Sequence, residues 1–426
     1  MSDVTGPAPG PPPAPIPGPT PPKGGLRPAV AVPVAVLLVA VAMGIAWLAT
    51  RDGGGVDTAS PPTTAAPAGT TSSSAPGQPE SDDLESVVAD LSAFVEEQRD
   101  LEFDDPVDVE LAEDDEFEQR LLDDFEAEDE ADIRDTERIF RALGFLEGDD
   151  DLVDQLKGVL SAGVVGFYDP ETNELVVRGG SPTPYARATI VHELTHALDD
   201  QHFELFRPEL DEADDETSFA FSTLVEGNAV TVEEAYKDTF TDDEQQQYDE
   251  EEASIGGATD FTQFPEILLA LIGAPYEFGP PLIDAIVGDG GETAVDQAFE
   301  NPPVSSEQVL DPSVFLSGDE PLDVAEPPAD GESFDQGTFG QYLLLLLLTD
   351  GGVDQQQAAR AAVGWGGDQY VAWRDGDEAC LRVSFVGDTD TDTEEIADAL
   401  DEWAGGRDGA DVTTNDDDQP TLTSCG

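Results

Sequence analysis

The sequence predicts an α+β domain that is mainly helical, has a small antiparallel sheet and follows a single N-terminal transmembrane helix. Three observations support this prediction. Apolar residues recur at helical spacing through much of the chain after residue 81. Two β-rich runs flank a turn sequence between residues 164 and 179. A long uncharged apolar stretch lies near the N-terminus.

The first 80 residues are predicted to tether the domain to a membrane. Residues 1–28 are rich in proline, glycine and alanine, so they form a disordered tail that cannot bury a core. Residues 29–50 carry no charge and can cross a bilayer core of about 30 Å as a helix. A cleaved signal peptide is the alternative for this segment. Residues 51–80 form a disordered linker of Gly, Ser, Thr and Pro.

Residues 81–426 are predicted to form one extracytoplasmic domain. The predicted helix at 29–50 would then anchor the protein in the cell membrane, with its N-terminus in the cytoplasm. Residues 81–150 are strongly acidic, with apolar residues at helical spacing. Residues 160–240 contain all three histidines and form the predicted core of a metal site. Residues 260–426 are expected to form helices and a hairpin.

Local signals place several elements. Thr183 followed by Pro184 is a helix start, with a capping residue and then a first-turn proline, and this helix should run to about Asp200. A second helix is expected at about 215–240. The run YLLLLLL at 342–348 is too short to span a membrane and predicts a buried helix.

The C-terminal part is expected to contain a helix at Gln355–Val363, a hairpin that turns at Asp375–Gly376, and an acidic helix that ends near Trp403. The motif GWGGD contains Trp365 and Asp368, and it predicts a glycine-rich turn anchored by an aromatic side chain.

The charge balance narrows the range of partners. The chain has 17 basic and 95 acidic residues, for a formal net charge of −78. Such a chain repels phosphate backbones, so nucleic-acid binding is not expected. The hydrophobic fraction of 39% still allows a packed core in part of the chain.

The two cysteines, Cys380 and Cys425, both follow the predicted membrane segment. If this part of the chain lies outside the cell, they are expected to form a disulfide. Two free thiols in a cytosolic chain are the alternative. No Cys/His spacing suggests that the cysteines bind a metal.

The histidines His192, His196 and His202 fall within the sequence IVHELTHALDDQH. On a helix, His192 and His196 are one turn apart and present their imidazoles on one face, as a zinc site requires. Glu193 lies beside that face and is the predicted general base, which takes a proton from a water acidified by the metal. The HExxH sequence therefore predicts a catalytic zinc site.

Two residues compete for the third ligand position. His202 has the spacing of the HExxHxxGxxH class, but Asp199 replaces the glycine of that pattern. That class also requires a methionine turn, and the only methionines precede the domain. Glu226, in LVEGNAV on the second predicted helix, is favoured as the ligand. His202 then remains a neighbour of the site.

The motifs HELTHALDD and LVEGNA resemble those of the gluzincin metallopeptidases, which include thermolysin-like and peptidase MA-like proteins. The resemblance covers residues 164–240. It implies a zincin-like fold, zinc held by His192, His196 and Glu226, and Asp200 as a partner of a ligand histidine. Val230 departs from the family pattern, which has an aspartate at this position.

A peptidase also requires a hydrogen-bond donor for the oxyanion that develops on the attacked carbonyl. Tyrosines are the candidates, and the sequence does not choose among them. They are Tyr168, Tyr185, Tyr236, Tyr276 and Tyr370. The strand at 174–178 is expected to align an extended substrate by strand addition.

Together these features predict a membrane-anchored zinc metallopeptidase that acts on a protein or peptide substrate outside the cytoplasm. One alternative is an inactive zincin-like domain that serves as a binding module or scaffold of the cell envelope. Glu193 argues against it, because zinc binding does not require this carboxylate. A zinc hydrolase that acts on a non-peptide amide is a further alternative.

Overall fold

The structure is a computed structural model, and it describes residues 39–41, 81–123, 129–146, 148, 151–170, 172–207, 215–376 and 378–426. The predicted tail at 1–28 and the linker at 51–80 lie outside these residues. The described part is an α+β assembly of helices around two small sheets, as the sequence predicts.

The helices, labelled in chain order, are α1 (Ser81–Arg99), α2 (Asp114–Asp123), α3 (Asp129–Leu143), α4 (Leu152–Gly163), α5 (Pro184–Phe203), α6 (Asp215–Lys237), α7 (Asp242–Ala258), α8 (Glu266–Gly290), α9 (Glu292–Glu300), α10 (Ser306–Leu310), α11 (Pro312–Ser317), α12 (Gly340–Asp350), α13 (Gln355–Val363) and α14 (Asp390–Ala404). The strands are β1 (Val39–Val41), β2 (Val109–Ala112), β3 (Val164–Asp169), β4 (Glu174–Arg178), β5 (Glu332–Gly337), β6 (Trp365–Asp375), β7 (Glu378–Gly387), β8 (Ala410–Thr414) and β9 (Pro420–Cys425).

The first sheet has the strand order β1-β3-β4-β2. Strands β3 and β4 form the predicted hairpin. Strand β2 comes from the acidic region, which was predicted to be helical only, and pairs parallel with β4. The prediction that 174–178 receives a substrate strand is therefore wrong, because β4 is already paired along both edges, with β2 and β3.

The predicted transmembrane segment is only partly described. Its residues Val39–Val41 form β1, which pairs antiparallel with β3, and the other residues of 29–50 lie outside the described part. Among the described residues, no helix combines the length and the apolar character needed to cross a membrane. The membrane helix stays a prediction.

The second sheet is antiparallel, with the strand order β5-β6-β7-β9-β8. The hairpin turns at the predicted Asp375–Gly376, where Gly376 has a φ of +67° that suits glycine. Cys380 and Cys425 face each other on β7 and β9 and form the predicted disulfide. The predicted turn at GWGGD is wrong, because Trp365–Asp368 begin β6 with a bulge.

Five buried hydrophobic clusters lie among the described residues, and the three largest hold most of the elements together. The largest lies between the second sheet and α12–α14 and extends to α3 and α4; the buried side chains of α12 confirm the predicted core helix. A second joins α1, the first sheet and α5. A third lies between α6, α8 and α9. Helices α5 and α6, which contain the predicted site, therefore lie at the junction of two cores.

Candidate metal centre

Helix α5 carries the HExxH sequence through the interior of the protein. It begins as predicted, with the Thr183 hydroxyl accepting from the Ala186 amide at 3.1 Å and with Pro184 in the first turn. It continues to Phe203 and ends at Glu204, which adopts a left-handed conformation. Residues 188–199 are all buried, because the first sheet and α6 both pack against this helix.

The two histidines and Glu226 meet as predicted. The His192 and His196 rings are 4.7 Å apart between centroids, one turn apart on α5. Glu226 Oε2, on α6, lies 3.1 Å from His192 Nε2 and 3.5 Å from His196 Nε2. One ligand atom from each of the three side chains lies within 4.8 Å of the others, which is the spacing of a metal-binding group.

Hydrogen bonding within this group is incomplete. Twelve buried side-chain polar atoms in the described part have no hydrogen-bond partner, and five of them belong to three residues of the site. These are both oxygens of Glu193, both ring nitrogens of His196 and Oε1 of Glu226. Buried polar groups without partners are costly and rare, so their concentration in these three residues fits a site that could hold a metal ion. The two imidazoles and one carboxylate are the donor set of catalytic zinc sites.

Glu193 is fully buried beside the metal-binding group. Burial, together with the charges of Glu226 and Glu233, raises its pKa to about 8, although the positive charge of His192 opposes the shift. Strand β3 passes close to it, and a Cβ on Gly166 would lie 2.5 Å from Thr189 Cγ2 and 3.1 Å from Glu193 Oε1. The glycine in VVGFYD thus allows β3 to approach α5 at this point.

His192 has a carboxylate on each side of its ring. Its Nδ1 lies 3.2 Å from Oε2 of Glu233, which is two turns after Glu226 on α6. Burial lowers the pKa of His192, but hydrogen bonds to Glu226 and Glu233 outweigh it and raise the pKa to about 10. A carboxylate on Nδ1 directs Nε2 toward a metal and orients the ring. The carboxylate beside His192 Nδ1 thus comes from Glu233 and not from position 230, where the chain has valine.

Helices α6 and α8 cross at two glycines. A Cβ on Gly227 would lie 2.3 Å from the Gly279 backbone, so neither position has room for a side chain. This contact explains the glycines of LVEGNA and PYEFG, and it brings Tyr276 next to the metal-binding group. The Tyr276 ring stacks on His192, with centroids 6.3 Å apart.

The other candidate tyrosines contact other residues. Tyr168 donates to Asn173 and Asp200, and Tyr370 donates to Asp335 in the second sheet. Tyr185 packs on Tyr248, and its buried hydroxyl has no hydrogen-bond partner among the described residues. Tyr236 packs between Phe94 and Phe240. Tyr276 is the tyrosine whose ring contacts a candidate ligand in the described residues.

Asp200 and His202 have other partners than those expected. Asp200 accepts from the Tyr168 hydroxyl and from the Leu205 amide, both at 2.8 Å, and so holds the end of α5. His202 is exposed, and its Nε2 contacts the Glu102 carbonyl at 2.9 Å. Neither geometry supports a role beside a ligand histidine.

Sequence reasoning missed four residues around the group, which are Glu233, Asp199, Asn228 and Arg99. Glu233 had a signal, since positions seven apart on a helix share a face and Glu226 was already a candidate. Arg99 had none, because it lies 100 residues from its partner Asp199.

In the comparisons with known proteins, a family model matches the C-terminal part of the chain, which follows the candidate site. Residues 326–423 match the family model described as "Domain of unknown function (DUF8575)". This match covers β5–β8, α12–α14 and most of β9, and contains none of the candidate metal ligands. No curated protein and no solved structure matches the chain.

Proposed function

We propose that the chain is a zinc-dependent metallopeptidase, with zinc held by His192, His196 and Glu226. The observation that carries this proposal is the buried group of two imidazoles and a carboxylate, in which several polar atoms have no hydrogen-bond partner among the described residues. When bound, zinc supplies a Lewis acid that polarises a carbonyl and makes water more acidic.

Glu193 is the general base in this proposal. It lies next to His192 on the helix, is buried, and has no hydrogen-bond partner among the described residues. From its buried position beside the candidate ligands, this carboxylate would accept a proton from the attacking water and then give it to the leaving amine. Burying such a carboxylate is unfavourable for folding, which favours a catalytic role over a scaffold role.

Tyr276 is the proposed donor to the developing oxyanion, because its ring lies against His192 and is only partly buried. The resemblance of HELTHALDD and LVEGNA to the gluzincins supports a peptide bond as the substrate. The disulfide supports a location outside the cytoplasm, where the predicted membrane helix would place the domain.

The test is hydrolysis of a peptide library by the full chain, with zinc measured on the same samples. Glu193→Gln should lower the rate by about 10²- to 10⁴-fold while zinc remains bound. Glu234→Gln is the matched control, since Glu234 is on α6 with its side chain 52% exposed and paired with Lys237. It should retain the wild-type rate.

Zinc binding without hydrolysis of any peptide by the wild type would contradict the peptidase proposal. Hydrolysis of non-peptide amides in the same assay would then indicate a different zinc hydrolase. No hydrolysis of either substrate would favour the cell-envelope scaffold.

A further inference from the structure

Arg99, the last residue of α1, is a buried cation outside the metal-binding group. Its side chain is 1% exposed, and its Nε and Nη2 atoms donate to Asp199 Oδ1 at 3.0 and 2.8 Å. On α9, Asp296 and Glu292 lie 3.3 and 3.6 Å from the same guanidinium. The acidic N-terminal region thus inserts a charge into the core next to α5.

Asp199 connects this cation to both helices that carry the candidate ligands. It is fully buried and lies three residues after His196 on α5. Its Oδ2 accepts from Nδ2 of Asn228 at 2.5 Å, and Asn228 is two residues after Glu226 on α6. Burial raises the pKa of Asp199, although its hydrogen bonds with Arg99 and Asn228 oppose the shift.

A buried ion pair contributes little net stability to a fold. Removing two charges from water costs several kcal/mol per ion, and apolar residues of similar volume are often equally stable in their place. A metal site is different, because its ligands must be held within a few tenths of an ångström. A carboxylate between α5 and α6 makes directional hydrogen bonds. Such bonds fix the relative position of the two helices more precisely than apolar packing does.

We propose that Arg99, Asp199 and Asn228 form a positioning network that sets the separation of His196 and Glu226, and with it the affinity of the site for zinc. Arg99 holds one oxygen of Asp199, and the other oxygen holds α6 through Asn228. Helix α1 is therefore part of the support of the proposed metal site. This inference rests on the proposed zinc site.

The test uses Asn228→Ala, which removes the link between α5 and α6 and leaves the ion pair intact. Ser222→Ala is the matched control, because Ser222 is one turn before Glu226 on α6, is 1% exposed, and has a hydroxyl without a partner among the described residues. Three quantities are measured on the full chain. They are zinc affinity by competition with a chelator, the absorption spectrum of bound Co²⁺, and the melting temperature without metal.

Asn228→Ala should weaken zinc binding by about 10- to 100-fold and change the Co²⁺ spectrum. Ser222→Ala should match the wild type in both. Arg99→Lys keeps the charge but loses the two-pronged contact with Asp199, so it should give a smaller loss of affinity in the same direction. If Asn228→Ala does not fold, the same measurements on Arg99→Lys test the inference.

A lower melting temperature in Asn228→Ala and Arg99→Lys, with zinc affinity and Co²⁺ spectrum equal to the wild type, would overturn the inference and leave the zinc site standing. Failure of the wild type to bind either ion would instead overturn the proposed function, and the inference with it.

Discussion

Buried carboxylates lie in two regions of this chain, and their surroundings differ. In the C-terminal sheet region, Asp368 accepts from the Trp365 indole and from the amides of Phe339 and Gly340, at 2.6–2.9 Å. In the metal centre, Glu193 has no partner among the described residues, and Glu226 leaves one oxygen free. The same functional group therefore holds the fold in one region and is available to a ligand in the other.

The contrast extends to helix α6 itself. Glu216, in its first turn, accepts from the amide and hydroxyl of Ser306 at 2.6 and 2.7 Å. The Ser306 hydroxyl in turn accepts from the Tyr342 amide, so this end of the helix is anchored to α12. Glu226, ten residues further on, faces the histidines. One end of α6 thus has its buried carboxylate satisfied by protein donors, and its middle carries the carboxylate of the candidate metal site.

Asp368→Ala should have the largest effect on stability. It leaves three buried donors without an acceptor, which should lower the free energy of unfolding by about 3 kcal/mol or more. Urea unfolding measures this change. Asp411→Ala, at an exposed position on β8, should change the same quantity by less than about 0.5 kcal/mol. Zinc affinity should be unchanged in both variants. Weaker zinc binding by Asp368→Ala would contradict the distinction between the two regions.

Glu233→Gln should weaken zinc binding by about 10- to 100-fold, because the neutral amide orients His192 less strongly than the carboxylate does. Chelator competition gives the affinity. The neighbouring Glu234→Gln, exposed and paired with Lys237, should bind zinc like the wild type. Equal affinities in the two variants would show that Glu233 does not support the site.

Glu193→Gln and Glu216→Gln compare a buried glutamate without a hydrogen-bond partner with a buried glutamate that accepts hydrogen bonds. In the metal-free protein, Glu216→Gln should cost about 1–2 kcal/mol, because charge-assisted hydrogen bonds from Ser306 are weakened. Glu193→Gln should leave the stability equal or higher, since burial of an unpartnered carboxylate is unfavourable. Urea unfolding of both variants decides the matter. A larger loss in Glu193→Gln would contradict the distinction.

Glu307→Gln should have the smallest effect, and a pH-dependent one. Burial and three nearby aspartates, Asp388, Asp319 and Asp311, raise the Glu307 pKa from 4.5 to about 7. Because the folded state favours the protonated form, the wild type loses stability as pH rises from about 4.5 to 7. The neutral glutamine avoids this loss. The variant should therefore be more stable than the wild type at pH 8 and equal to it at pH 4, and thermal unfolding at both values tests this.

The sequence was informative where the relevant residues are local. The spacing of His192 and His196, the cap at Thr183 and the turn at Asp375–Gly376 each depend on neighbours within one or two turns, and the structure confirms them. Glu226 was found because helical packing placed a carboxylate on the next helix, and the Gly227–Gly279 contact now explains why that helix approaches so closely.

Contacts between residues far apart in the chain could not be predicted from the sequence. The role given to 174–178 was wrong, because β2, about 65 residues earlier, pairs with that strand. The turn at GWGGD was wrong because Asp368 bonds across the sheet region to Gly340 and fixes the segment as a strand. Arg99 likewise requires knowledge of how α1 packs on α5.

Zinc content tests the central claim most directly. The purified full chain should contain about one zinc ion, Glu226→Ala should lose it, and His202→Ala should retain it. His202 is the matched control, since it is the only histidine outside the group and its ring contacts the Glu102 carbonyl at the surface. Retention of zinc in Glu226→Ala together with its loss in His202→Ala would contradict the assignment of the metal centre.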